Sequence, residues 1–359
     1  MKIEDQRELL GRWYGAIKNQ DREEVSNWRK RFESRSDMFA DPELQKFYEL
    51  LSARYYLLDR DFAKADSALE MTGPVKEDKW HWLNYYYYFF KGISLYDQGQ
   101  YQAAIENYMK AKPIVTDISL EEMGEFYFEL ACVYHRNYEI TLSVKYADKA
   151  LEIFKRKSNF RRIITCENVL GINNKDFGQY KEAERHYHEA LLHLQKYNDS
   201  YLKMLVLNNF GSMCSEQNDP KAAINFLRKA SPLIEPWDNG MKSRNIYLLA
   251  KNYFKTGQIQ DAHLKLDFGL KMSEQVGNYE YLYRFNLLKA KFVEPEHFEY
   301  VYKEGISFFH DHKWWDYVAT YSLELANYYR KSGLHQNSND YYHMAEMARN
   351  NFKKERAHQ

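Results

Sequence analysis

Four small or bulky residues recur in fixed order along this chain, in frames about 40 residues apart. Gly92, Ala104, Tyr108 and Ala111 keep the same spacing as Gly171, Ala183, Tyr187 and Ala190, with 12, 16 and 19 residues counted from the glycine. Such a period is the signature of stacked two-helix units, each of which buries its apolar face against its neighbours. An array of this kind offers a long concave groove rather than an enclosed catalytic pocket. Frame starts fall at Ala53, Gly92, Ala131, Gly171, Gly211, Ala250 and Ala326, spaced 39, 39, 40, 40, 39 and 76 residues apart. A degenerate frame around Ala290 fills the last gap. The turns Gln98-Gly99-Gln100, Phe177-Gly178-Gln179 and Thr256-Gly257-Gln258 predict helix ends, each glycine taking a positive φ.

Only 7 Pro and 15 Gly in 359 residues leave few helix breakers, so the expected fold is all-α. Lys plus Arg and Asp plus Glu are each 51, and this balance gives no overall field for binding nucleic acid. Cys132, Cys166 and Cys214 stand alone, which predicts buried thiols rather than a metal site or a disulfide framework. The most apolar stretch, Leu83 to Tyr96, is broken by Lys91 and reads as a buried helix, not a membrane span. Met1 to Gln6 has no apolar leader, and a cytoplasmic protein is expected. Phosphate-loop, zinc-protease and nucleophile-elbow motifs are absent from the sequence, so neither cofactor nor metal is expected. The pairs His186/His188 and His310/His312 read as solvated surface. Glu121, Glu122 and Glu125 read as the acidic first turn of a helix.

A different segment precedes the repeats. Leu9, Leu10, Trp13, Tyr14 and Ile17 have helical spacing, as do Val25, Trp28 and Phe32. A third helix starts at Asp41-Pro42-Glu43, with Asp suited to the N-cap and Pro to the first turn. The expected architecture is a three-helix bundle over residues 1–60, then a right-handed tetratricopeptide-repeat superhelix of about seven or eight helix pairs over 61–359.

Phe47 to Arg54, Tyr86 to Gly92, Tyr146 to Phe154 and Asn209-Phe210-Gly211, together with the bundle and the 40-residue spacing, resemble the Rap family of Bacillus, within the wider group of peptide-pheromone receptors. The resemblance spans nearly the whole chain. It implies a quorum-sensing regulator whose bundle binds a response regulator or other transcription factor and whose groove binds a short pheromone peptide. Neither direct nucleic-acid contact nor membrane contact is implied. Phosphatase members resemble one another in a Met-Glu-Glu-Asp-Gln stretch whose Gln orients the attacking water. Here that stretch is Met38-Phe39-Ala40-Asp41-Pro42, and Pro42 cannot position a water. Gln45 lies one helical turn later and is the remaining candidate for catalysis. The resemblance therefore favours sequestration over catalysis, with Asp41, Pro42 and Gln45 at the target-binding surface. An aspartyl-phosphate phosphatase and a peptide-independent adaptor are the alternatives.

The first helix of each unit should line the groove. An extended peptide needs side chains that both donate and accept, as Asn does, and carboxylates that meet a cation. Asp176 and Asn209 meet those needs and fall where the family's pheromone-contacting residues lie, and Asn173 is a further candidate on that basis. Asn168, Asn208, Glu216, Arg244 and Lys251 complete the expected peptide-binding set. Alternatives stay open for two of them. Asn209 can instead bond a neighbouring helix, and Asp176 can simply precede the Phe177-Gly178 turn.

Overall fold

In the computed structural model the described residues are 3–33, 41–76 and 80–357. They form eighteen α-helices, two short 3₁₀ turns and no strand. The chain divides into two compact units, Met1–Arg162 and Ile163–Gln359.

In the first unit α1 (Ile3–Asn19), α2 (Arg22–Glu33) and α3 (Pro42–Leu58) form a bundle. Trp13 is fully buried, its ring centroid 5.2 Å from that of Phe32 and 5.7 Å from that of Tyr48. The Asp41 carboxylate caps α3, accepting hydrogen bonds from the backbone N–H groups of Glu43 and Leu44, with Pro42 in the first turn as expected. Helix α3 also carries the first repeat frame, because Ala53 is buried and α3 packs on α4 (Phe62–Thr72). Pairing continues with α5 (His81–Asp97) on α6 (Tyr101–Val115) and α7 (Leu120–Arg136) on α8 (Ile140–Arg156).

Pairs in the second unit are built alike. They are α9 (Phe160–Asp176) with α10 (Tyr180–Lys196), α11 (Ser200–Glu216) with α12 (Pro220–Ala230), and α13 (Asn239–Thr256) with α14 (Ile259–Gln275). The last are α15 (Tyr279–Phe292) with α16 (Phe298–Asp311) and α17 (Trp315–Lys331) with α18 (His335–Ala357). Every frame start, Ala290 included, lies on the first helix of a pair, giving eight pairs among the described residues.

The glycine at the head of a frame has a steric cause. A Cβ on Gly171 would lie 2.5 Å from the ring of Tyr187, the residue 16 positions later, and on Gly211 it would lie 2.7 Å from Leu227. Gly171→Ala should therefore destabilise the protein by about 1–3 kcal/mol despite the better helix propensity of alanine. The companion change Tyr187→Leu, which copies the Gly211 pair, should recover part of that loss in urea titrations. An undiminished midpoint in the single variant would refute the steric account.

Gly99, Gly178 and Gly257 end their helices with φ of 79°, 80° and 76°. Tyr138 and Asn218 adopt the same left-handed conformation at the equivalent turns, with φ of 62° and 61°. The turn geometry is thus set by the repeat, and glycine only makes it easier.

Candidate functional site

One residue on an α-helix turns the chain by about 100°, so a face repeats every three to four positions. On the first helices of the second unit Asn168 on α9, Asn209 on α11 and Arg244 on α13 meet side chain to side chain, and Ser212 and Glu216 on α11 line a cavity with Lys251 and Lys255 on α13. Asn209 Nδ2 donates to Asn168 Oδ1 at 3.1 Å, and Arg244 Nη1 donates to Asn209 Oδ1 at 3.1 Å. Three successive first helices are thereby joined by a hydrogen-bonded ladder, of which Asn168 and Arg244 are half-buried and Asn209 is 8% exposed.

Asn173 and Asn208 do not belong to this face. Both are wholly buried, one position away from Ile172 and Asn209 and therefore turned toward the packed helices. Asn208 accepts from Asn245 Nδ2 at 3.1 Å, and Asn245 also donates to the Leu227 carbonyl at 3.1 Å. In this structure, therefore, neither of these two asparagines is open to a ligand.

Asp176 is exposed at the end of α9. Its carboxylate lies 2.9 Å from Lys175 Nζ, which also donates to Glu216 at 3.3 Å. Burial pulls Lys175 down, but Glu216 and Asp176 outweigh it and hold the ammonium above its ordinary value. Further along, a cavity of about 220 Å³ is lined from α11, α13, α15, α16 and α17. Arg284, Lys291, Tyr302, Tyr317 and Glu324 contribute to it, and none stands out from the sequence, because the Ala290 frame is degenerate. Lys291 Nζ donates to Glu324 at 2.7 Å, and Tyr302 donates to the same carboxylate at 2.6 Å.

At the other candidate surface, Gln45 is half-buried and donates to Glu49 Oε1 at 3.0 Å, Pro42 is exposed, and Asp41 is engaged in capping α3. Met38, Phe39 and Ala40 lie outside the described residues. His186 is not surface: it is 5% exposed and its Nδ1 lies 2.7 Å from Glu167 Oε2. Glu167 is one turn before Gly171 on α9, so a long-range partner on a packed helix, invisible as a local pattern, buries the imidazole. His188, His310 and His312 are exposed. Cys166 and Cys214 are buried, whereas Cys132 is half-buried. Among the described residues no helix is long and apolar enough to cross a membrane.

A tetratricopeptide-repeat family profile matches residues 162–235, which bracket the Asn168–Asn209 part of the ladder. The chain is 26% identical over 346 residues to the transcriptional activator NprA of Geobacillus stearothermophilus, covering 93% of this chain and 85% of that protein. It is 24% identical over 355 residues to response regulator aspartate phosphatase I of Bacillus subtilis, covering 96% and 90%. The chain is a homologue of the Rap and NprA proteins. A Rap protein solved in complex with competence and sporulation factor matches this homologue at 20% identity and a TM-score of 0.79, covering 99% of both chains. The protein NprR solved with its cognate peptide NprX matches at 20% identity and a TM-score of 0.68, covering 98% and 99%. Those likenesses establish that this Rap and NprA homologue has the tetratricopeptide-repeat fold.

Proposed function

We propose that this chain is a regulatory receptor whose second unit binds a short peptide in extended form and whose residues 1–60 bind a response regulator or another transcription factor. The observation that carries the reading is the Asn168–Asn209–Arg244 ladder. Its amide groups both donate and accept, as an extended backbone requires of its partners. Asp176 and Glu216 add carboxylates for a cationic peptide group. The homologue NprR is a peptide-binding protein by its solved complex, which supports the same use of this groove.

Control by sequestration accords with the surface at α3. Pro42 stands where phosphatase relatives place glutamine, and the Gln45 amide is engaged by Glu49. The alternative, aspartyl-phosphate hydrolysis, is favoured by the name of one relative, response regulator aspartate phosphatase I. Incubation with a phosphorylated response regulator separates the two: retained phosphoryl with complex formation supports sequestration, and phosphoryl loss that falls in Gln45→Ala supports catalysis.

For the groove, affinity selection from a mixed pentapeptide and hexapeptide library, read by mass spectrometry, should retain peptides on the wild-type protein. Asn209→Ala should weaken the retained peptides about tenfold or more, because a ladder group loses both of its roles. Asn208→Ala, one position away but buried, should leave affinity within about twofold. Equal affinity in Asn209→Ala and wild type would remove the ladder from the binding site.

A further inference from the structure

The second helices of the second unit carry cations that the ladder does not use. Helix α12 has Lys221, Arg228 and Lys229 and no carboxylate. Where α12 and the 3₁₀ turn after it meet α13 and α14, a cleft of about 320 Å³ is lined by Arg228, Ser231, Leu249, Tyr253, Asp261 and Lys265. A second cleft of about 380 Å³ shares Arg228 and is lined also by Lys221, Ile224, Asn225 and Lys229. The first cleft is on the opposite side of α13 from the cavity that Lys251 and Lys255 line, because Tyr253, two positions from each of them, is rotated by about 200°. Together the two clefts hold four cations and one carboxylate, Asp261. Among the described residues none of these five groups forms an ion pair, and Lys229 has only the ring of Phe226, 5.9 Å away. Tyr253 is 5% exposed, and its hydroxyl, within the fields of Arg228 and Asp261, has no hydrogen-bond partner in the protein. Burial holds that phenol above its ordinary value against the pull of Arg228, so it stays protonated and offers a donor. A largely buried donor without an acceptor and a set of unpaired cations both gain from an anion.

We infer that the paired clefts at Arg228 are a docking site for an acidic segment of a partner protein, one carboxylate of which lies among Arg228, Lys265 and Tyr253. Arg228 presents a planar fork that a carboxylate accepts bidentately, Lys265 adds charge, and the Tyr253 hydroxyl is a third donor. Ile224 and Leu249, 7% and 1% exposed, give the clefts apolar surface for the aliphatic part of an acidic side chain. Lys221 is seven residues from Arg228 on the same helix, two turns or about 10.5 Å, so a second carboxylate that far along the segment reaches it. Asp261 is exposed at the edge of the first cleft, where it repels a continuous run of phosphates but accepts from the backbone N–H groups of a peptide. A protein segment is therefore favoured over a nucleic acid, for which the chain's zero formal charge supplies no field either. This docking site does not depend on the peptide reading of the groove.

The probe is labelled hexaglutamate, titrated into the intact protein at low salt and read by fluorescence anisotropy, with an uncharged Gly-Ser hexapeptide for comparison. Wild type should bind hexaglutamate at least about tenfold more tightly than the Gly-Ser peptide, and added salt should shrink that preference. Arg228→Gln/Lys265→Gln should weaken hexaglutamate about tenfold, and Arg228→Lys, which keeps the charge without the fork, should weaken it less. Tyr253→Phe should lose about threefold to fivefold in affinity at an unchanged thermal midpoint, since its hydroxyl bonds nothing in the free protein. Lys271→Gln, which removes a charge from α14 outside both clefts, should bind like wild type, and thermal midpoints confirm that every variant folds. Equal affinity for the two peptides would overturn the site. So would a loss confined to Lys251→Gln/Lys255→Gln, which would place the probe in the groove instead. Displacement of hexaglutamate by a short DNA duplex or by equimolar inorganic phosphate would overturn the protein assignment in favour of a phosphate ligand.

Discussion

Glu122→Leu, made with Lys18 left in place, should destabilise the first unit by about 3–5 kcal/mol, the cost of leaving one member of a buried ion pair alone. Glu122 is 4% exposed in the first turn of α7. Its Oε1 accepts from Lys18 Nζ at 2.8 Å, and its Oε2 accepts from the Tyr14 hydroxyl at 2.9 Å and the Tyr85 hydroxyl at 3.3 Å. Removing the carboxylate strands the Tyr14 hydroxyl, leaves Tyr85 only the Glu122 backbone carbonyl at 3.4 Å, and leaves Lys18 only Glu121, at 3.1 Å on the exposed side. The double change Lys18→Met/Glu122→Leu replaces the pair with apolar groups and should recover most of the loss. Denaturation midpoints by circular dichroism decide the matter, and a Glu122→Leu midpoint equal to wild type would show that this buried pair does not stabilise the unit. A pH dependence follows from the same contacts. Burial lifts the Glu122 carboxyl above its ordinary value, and Lys18 and Tyr14 pull it back only in part. A carboxyl with a raised folded value binds its proton more readily in the folded protein. Its contribution is therefore most favourable below the ordinary value and falls as pH rises through the folded one. That slope should vanish in Glu122→Leu.

The ion pair also shows what a sequence conceals. Glu121, Glu122 and Glu125 look like a solvated first turn, and Glu121 is one. Glu122 and Glu125 are instead buried, because Lys18 comes from α1, 104 residues away, and Arg162 closes on Glu125 from α9. Nothing local marks either partner. The frames, by contrast, were legible because each is a contact between residues of fixed spacing, as Gly171 and Tyr187 show. Helical periodicity placed Leu10, Trp13 and Ile17 on a buried face for the same reason. In the groove the limit was angular. A frame locates a helix but not, to within one residue, which side chain faces the partner helix. Asn209 and Asn208 differ by that one step: Asn209 bonds Asn168 and Arg244, whereas Asn208 bonds Asn245 between the packed helices. The α15 residues were missed altogether, since short helices and a weak frame hid the repeat that carries Arg284 and Lys291.

Arg284→Met should cost the second unit about 2–4 kcal/mol and widen the groove at the same time. The guanidinium carbon lies 4.3, 4.5 and 4.9 Å from the ring centroids of Tyr247, Tyr281 and Tyr317. Its Nη1 donates to Glu280 Oε1 at 3.0 Å and to the Tyr317 hydroxyl at 3.1 Å, and that hydroxyl donates in turn to Glu280 at 2.6 Å. Three rings share one cation, so their attractions do not add. Each desolvated cation–π contact is worth up to about 2 kcal/mol, and the charged hydrogen bonds about 1.5–3 kcal/mol. Glu280 keeps 31% of its side chain in solvent, so it can rehydrate when Arg284 is lost, and the expected cost stays below that of Glu122→Leu. The three tyrosines sit on α13, α15 and α17, which makes this one side chain the tie between three consecutive first helices. Methionine fills similar volume and keeps only weaker thioether–ring contacts, with no charge for the ring faces or Glu280, so the helices lose most of their common anchor. Arg284→Lys keeps the charge without the planar fork and should fall between the two. Thermal denaturation and affinity for a library-selected peptide, measured on the same samples, should decline together in the order wild type, lysine, methionine. A methionine variant as stable as wild type would show that the rings hold the helices without the cation. Stability lost with affinity intact would show that the anchor does not shape the groove.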